Sequence, residues 1–224
     1  MKKLNKRIII YATNDELFTI PLIKKICDDF SQIFFIDIFL SKASFKRRLK
    51  ILIVFILFGS LFKLINLSKN KITLKDLVKI KNVNIINHIK KKYYFGISLN
   101  YPKKIVLKNF DIFNFHLGSF SKQRGSFIFF YKHLYKWSNL DLTFHKISNR
   151  YDCGKIFNKK NINIIKKNAT DICLLYNNNY KFIKKCITQI KIRRRRKFIL
   201  GKLNTEPSFY LIIKVYILSI LRIN

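Results

Sequence analysis

At 224 residues and 49% hydrophobic, the chain is long enough to bury a full core and too apolar to be intrinsically disordered. Its 46 basic and 11 acidic residues give a net charge of +35, which would suit an anionic partner, but most are lysines scattered among many Ile, Asn, Phe and Tyr. All five residue types have A+T-rich codons, so compositional bias accounts for most of the charge. The four cysteines, at 27, 153, 173 and 186, form no C-x-x-C pair and fit no common zinc spacing; they read as unpaired thiols in a reducing compartment.

Arg7 to Ala12 is predicted as a first strand, Thr13-Asn14-Asp15 as a turn, and Glu16 to Phe30 as a helix. No glycine follows this strand, which argues against a nicotinamide or flavin cofactor. The run Ile8 to Ala12 after Met1–Arg7 is too short for a signal peptide, so a cytoplasmic location is expected. Ile33 to Leu40 is almost continuously apolar, as a strand buried on both faces would be. Leu49 to Leu67 is apolar too, but Lys50 and Lys63 bracket only 12 apolar or small residues where about 20 are needed to span a bilayer. A buried helix covering the sheet is expected. An interfacial helix at the inner face of a membrane is the alternative, because Lys42, Lys46, Arg47, Arg48 and Lys50 lie at its start.

Thr73 and Asp76 form a capping box, and Val83–Ile86 and Tyr93–Leu99 read as further strands. Phe127, Phe130, Tyr131 and Leu134 make a helical core stripe, and His88 reads as a surface residue. Beyond Ile156 the pattern predicts a short strand near Ile162–Ile165 and a helix Asp171–Tyr176 capped by Thr170. A further helix is expected over Tyr180–Ile192. Arg193–Lys197 is the densest basic run, either a solvated loop or a phosphate-binding patch. Ser208–Asn224 is apolar with scattered charge, as an amphipathic or membrane-lying helix would be.

The stretch from Lys108 to Ile156 carries the chemistry. Asp111–His116 and Leu142–Ile147 each alternate like buried strands and lead into polar turns. In an open α/β sheet ligands bind at the carboxyl ends of strands, where Asn114, His116 and Asp152 could converge. Such a set suits proton transfer with oxyanion stabilisation: the His takes a proton, the acid orients or charges it, and the amide donates to oxygen. No metal is needed for that.

The run Asn114-Phe-His-Leu-Gly-Ser-Phe-Ser-Lys-Gln-Arg-Gly125 resembles the N-x-H-P-S-x-x-P-x-x-R-G segment of the 10-formyltetrahydrofolate-dependent formyltransferases. Thr143-Phe-His-Lys-Ile-Ser-Asn-Arg-Tyr-Asp-Cys-Gly154 is similar to that family's T-x-H-x-x-x-x-x-x-D-x-G, and the separation of Asn114 from Asp152 matches too. Leu117 and Ser121 stand where the family has prolines, and Arg150 where it usually has glycine, which loosens a loop that proline would pre-set.

The resemblance implies a Rossmann-like α/β fold, a mainly parallel sheet with helices on both faces, with a catalytic domain over 1–192 and a basic, apolar extension over 193–224. It implies formyl transfer from 10-formyltetrahydrofolate, as co-substrate, to a primary amine, with Asn114, His116 and Asp152 catalytic. Ser98, Asn100, Tyr101, Arg150 and Tyr151 would hold the folate, and Ser121, Arg124 and Gly125 would form the substrate loop. His145 would be structural, or would shape the pocket. Transfer-RNA members carry a further barrel-like domain for which little chain follows here, and Arg124-Gly125 fits the purine branch less well. The expected acceptor is therefore a nucleotide-linked amino sugar for surface polysaccharide, including lipopolysaccharide. Methionyl-tRNA or glycinamide ribotide remain alternatives. So does a non-catalytic or nucleic-acid-binding member of the fold, and contact with a membrane surface stays open.

Overall fold

A computed structural model of the chain describes residues 6–69, 71–89, 92–101, 103, 105, 109–148, 154–190 and 203–221. Strand β1 (Arg7–Thr13) leads through α1 (Thr19–Phe30) to β2 (Phe35–Ser41), then α2 (Phe45–Phe58), α3 (Leu61–Lys69), α4 (Leu74–Val78) and β3 (Val83–Ile86). Next come β4 (Phe95–Leu99), β5 (Ile112–Leu117), the two-residue β6 (Arg124–Gly125), α5 (Ile128–Tyr135), β7 (Asn139–Lys146) and β8 (Ile156–Asn163). The described chain ends with α6 (Ala169–Cys173), α7 (Leu175–Asn178), α8 (Tyr180–Thr188), β9 (Leu203–Asn204) and α9 (Phe209–Leu221).

The main sheet has the order β3-β2-β1-β4-β5-β7-β8. Its first five strands are parallel, β7 runs antiparallel to β5, and β8, antiparallel to β7, closes one side. The α/β architecture is as expected. β1 is apolar from Ile8 to Ala12 because both of its faces are covered there: Ile8 and Ile10 pack with the α1 side chains Ile23 and Ile26, and Ile9 and Tyr11 face Tyr93 and Ile112. Strand order reverses between β1 and β4, the point at which an open α/β sheet leaves a crevice. Thr13 Oγ1 ties the two strand ends by donating to Asn100 O at 2.8 Å.

Several expectations need correction. Leu49–Leu67 is not one buried helix: α2 and α3 are separate, and α3 buries no residue. The break is enforced at Gly59, where a Cβ would lie 2.4 Å from Phe55 O and 2.8 Å from Thr170 Oγ1. Thr170 accepts from Ser60 N there rather than capping α6, a role that Asn168 takes by accepting from Asp171 N. The first helix starts at Thr19, not Glu16, because Asp15 Oδ1 accepts from the amides of Leu17 and Phe18 and holds the preceding turn. Strand β8 lies earlier than read, its Asn158–Asn161 stretch being the polar, lysine-bearing edge of the sheet. The capping box at Thr73 and Asp76 is present. Arg193–Lys197 lies outside the described residues, as does Cys153.

Candidate active site

Alternation along β5 buries Phe113 and Phe115 against Phe144 and sends Asn114 and His116 to the other face. β4 stops pairing at Leu99↔Phe115, whereas β7 continues to Leu117↔Leu142, so the last residues of β5 project beyond the sheet on the β4 side. Two backbone groups would be stranded there. The buried hydroxyl of Tyr176 on α7 meets both, donating to Phe115 O at 3.0 Å and accepting from Leu117 N at 3.2 Å. It thereby fixes the backbone on either side of His116.

A cleft of about 550 Å³ opens at the carboxyl ends of β1, β4 and β5, within the range of small-ligand sites. Asn114 and His116 both line it, with Ser98, Asn100, Tyr101 and Gly125. Ser98 stands beside Asn114 in the β4–β5 register. Asn100 adopts a left-handed backbone at φ 51°, and Tyr101 packs edge-on to Tyr11 at 5.6 Å. Burial raises the hydroxyl pKa of Tyr101, so that ring stays neutral as a stacking and donating surface. Ser121 is exposed and donates to Ser119 Oγ, and neither it nor Arg124 is among the residues lining the cleft. Arg150, Tyr151 and Asp152 lie outside the described residues.

Asn114 Nδ2 lies 3.1 Å from His145 Nε2, and His145 Nδ1 lies 3.2 Å from Lys146 O. A carbonyl can only accept, so Nδ1 carries the proton and Nε2 accepts from the amide. One N–H of Asn114 is thereby committed, the side chain is oriented, and the second N–H has no partner among the described residues. His145 therefore orients the amide, a contact that its expected part as a structural or pocket-shaping residue did not include; its place opposite Asn114 in the β5–β7 register is the signal. His116 is nearly buried and its Nε2 donates to Gln123 O at 3.0 Å, which puts the acceptor of the neutral ring at Nδ1.

Gln123 organises the loop whose prolines are missing. Its Oε1 accepts from Ser119 N at 3.1 Å, its amide N donates to Ser119 O at 2.8 Å, and its Nε2 donates to Asn139 O at 2.7 Å. Gly118 makes this closure fit: at φ 133°, any Cβ would sit 2.0 Å from Gln123 O. Gly125 is required for a different reason, the β6–β9 pairing, which leaves 1.9 Å between a Cβ and Asn204 O.

Two more groups on the cleft wall were not read as site residues. Burial pushes the Asp15 carboxyl above the usual carboxylate range, against the bonds it accepts from Leu17 and Phe18. Arg47 of α2 pairs with Glu206 at 3.2 Å and lies over the Phe127 ring. Thr205 and Glu206, which follow β9, line the same wall. Together these residues offer an oriented amide donor, a buried imidazole and an aromatic surface around one volume. Among the described residues no group of three His, Cys, Asp or Glu side chains could hold a metal ion.

No protein-family model matches the sequence, nor does any curated protein. Solved structures do resemble it. WlaRD, a sugar 3N-formyltransferase determined in the presence of dTDP and 5-N-formyl-THF, gives a TM-score of 0.61 at 17% identity over 90% of this chain and 70% of its own. The N-formyltransferase of Helicobacter canadensis, in complex with folinic acid and dTDP-3-aminofucose, gives 0.56 at 17% identity over 90% and 71%. Methionyl-tRNA formyltransferase of Clostridium thermocellum gives 0.50 at 15% identity over 94% and 82%. The chain has the formyltransferase fold.

Proposed function

We propose that this chain, on its formyltransferase fold, transfers a formyl group from 10-formyltetrahydrofolate to the primary amine of a nucleotide-linked amino sugar. The observation that carries the reading is the pair Asn114 and His116, adjacent on one face of β5 and lining the cleft, with the amide oriented by His145. Attack of the amine on the formyl carbon moves the carbonyl electrons onto oxygen. The uncommitted N–H of Asn114 would donate to that oxyanion, and losing one such donor costs about 3 kcal/mol in related chemistry. As the bond from the formyl carbon to the folate nitrogen breaks, the proton lost by the amine must reach that nitrogen. His116 would carry it, with Asp152 setting the charge of the ring. Tyr101 and the carboxyl end of β4 offer a flat, aromatic-walled surface for the folate.

The sugar acceptor is supported by the complexes of WlaRD with dTDP and of the Helicobacter canadensis enzyme with dTDP-3-aminofucose. A second reading, charged methionyl-tRNA, has the Clostridium thermocellum likeness in its favour. Incubating the protein with 10-formyltetrahydrofolate and a panel of amino-sugar nucleotides, with release of tetrahydrofolate as the signal, separates them. Turnover with a sugar nucleotide is expected. Formylation of methionyl-tRNA with none of the sugars would refute the choice of acceptor.

A further inference from the structure

We propose that the outer surface of α2, α3 and α9 docks on an anionic lipid bilayer. Each of the two longer helices carries two apolar stripes. On α2 the inner one, Val54, Phe55 and Phe58, joins a buried cluster with Phe127, Phe130 and, from α9, Ile212 and Val215. The outer one, Phe45, Leu49, Leu52 and Ile56, recurs at helical spacing and is exposed. On α9, Tyr210, Ile213, Ile217 and Leu221 repeat the pattern, also exposed.

Phe58 of α2 meets Tyr216 of α9 ring to ring at 5.8 Å, and both helices pack on α5. Their outward stripes therefore belong to one side of the molecule. α3 adds Leu61, Phe62 and Ile65 beside them, and its Leu64 and Leu67 reach the same inner cluster. Phe62 is 74% exposed, Phe45 75% and Tyr210 73%. Large rings left in water on neighbouring helices mark a surface that is covered in use.

Charge decides what covers it. The three helices contain no Asp or Glu. Arg47 and Lys50 share the one carboxylate of Glu206, and Lys63 pairs with Asp171. Lys46, Arg48, Lys69 and Lys214 are exposed and have no acidic partner among the described residues. A second copy of the chain, placed by a twofold axis on this face, would bring these cations against one another. An anionic headgroup layer complements them while its acyl region takes the apolar stripes. No helix among the described residues is long and apolar enough to cross a membrane, so the contact is interfacial. Ile51 and Phe55 of α2 also line the cleft, so docking would set the cleft beside the lipid surface. None of this rests on formyl transfer.

Co-sedimentation with vesicles of phosphatidylglycerol and phosphatidylcholine, against phosphatidylcholine alone, tests the proposal. Binding to the anionic vesicles should be at least about tenfold tighter and should weaken with added salt. The uncharged double variant F62S/I217S should lose about tenfold or more, with its thermal unfolding unchanged because both side chains are exposed. K46Q/R48Q/K214Q leaves the core untouched, so it keeps the test decisive if the apolar variant misfolds; it should bind the anionic vesicles at least about tenfold more weakly. Equal affinity for both vesicle types, or none, would overturn the proposal. So would a concentration-dependent dimer that F62S/I217S dissolves while vesicles are ignored.

Discussion

The hydroxyl of Tyr176 reaches β5 from 59 positions beyond Leu117, and nothing in the sequence near it marks that bond. It can be foreseen only from topology, since a strand outrunning its neighbour needs a partner for its spare backbone groups. Tyr176→Phe removes that partner from two buried groups. A loss of roughly 1–3 kcal/mol in unfolding free energy is expected from chemical denaturation, with a fall in kcat rather than a rise in KM because the backbone around His116 is loosened. An unchanged kcat in the folded variant would show that the hydroxyl serves stability alone. His116→Ala and Asp152→Asn should each lower turnover by at least about a hundredfold, the low end for a positioned acid or base. Single-turnover rates near those of the wild type in either folded variant would remove that residue from the mechanism. The place of Asn114 and His116 on one face of β5 at the cleft was legible because strand alternation carries it. Gln123 and His145 were not read in their roles, because each acts through a bond to the backbone or to another side chain that a motif does not encode.

Among the elements, β5 was readable because it alternates, and β8 was not, because an edge strand facing water carries Asn and Lys where a buried strand carries Ile. The α2–α3 break was hidden for another reason: Gly59 looks like a tolerated helix glycine until Thr170 arrives against it from a distant part of the fold. Helix α5 holds a titrating group that composition alone does not reveal. His133 stacks on Phe58 at 4.9 Å, and its Nε2 is buried without a partner among the described residues. Burial, with Lys132 adjoining, lowers its pKa to about 4. Above the ordinary value of 6.5 the ring is neutral in both folded and unfolded chains, so it adds no pH dependence there. Between 6.5 and 4 the unfolded chain takes up a proton that the folded chain refuses, so stability should fall as pH falls through that window. The loss is at most about 3 kcal/mol, less what solvent screens. His133→Phe keeps the ring contact and removes the orphaned nitrogen. Urea midpoints taken from pH 7 to 4 should fall less steeply in the variant, and parallel curves would exonerate the imidazole.

Over the whole molecule, 46 basic and 11 acidic residues leave most lysines facing others of their own sign. Surface ion pairs such as Lys24–Asp28 at 2.7 Å offset little of that repulsion. Self-repulsion across a molecule this size is screened within about 10 Å at 0.1 M salt. Raising sodium chloride from about 0.05 to 0.5 M should therefore raise the thermal unfolding midpoint. A midpoint that falls would mean that the ion pairs outweigh the excess charge. The fold class was legible at this scale because β and α patterns alternate from Arg7 to Ile86, which forces a parallel sheet.

The pairing of β6 with β9 gives the cleft an order of assembly. On a ribosome the strand that carries Asn114 and His116 emerges some ninety residues before Thr205 and Glu206. Until then Lys50, almost wholly buried in the finished protein, has no carboxylate to face at 3.1 Å, and a lone cation in that setting is costly. Helix α2 therefore lacks the partner of its buried cation until Glu206 arrives. The wall that completes the cleft is made after the strand that bears Asn114 and His116.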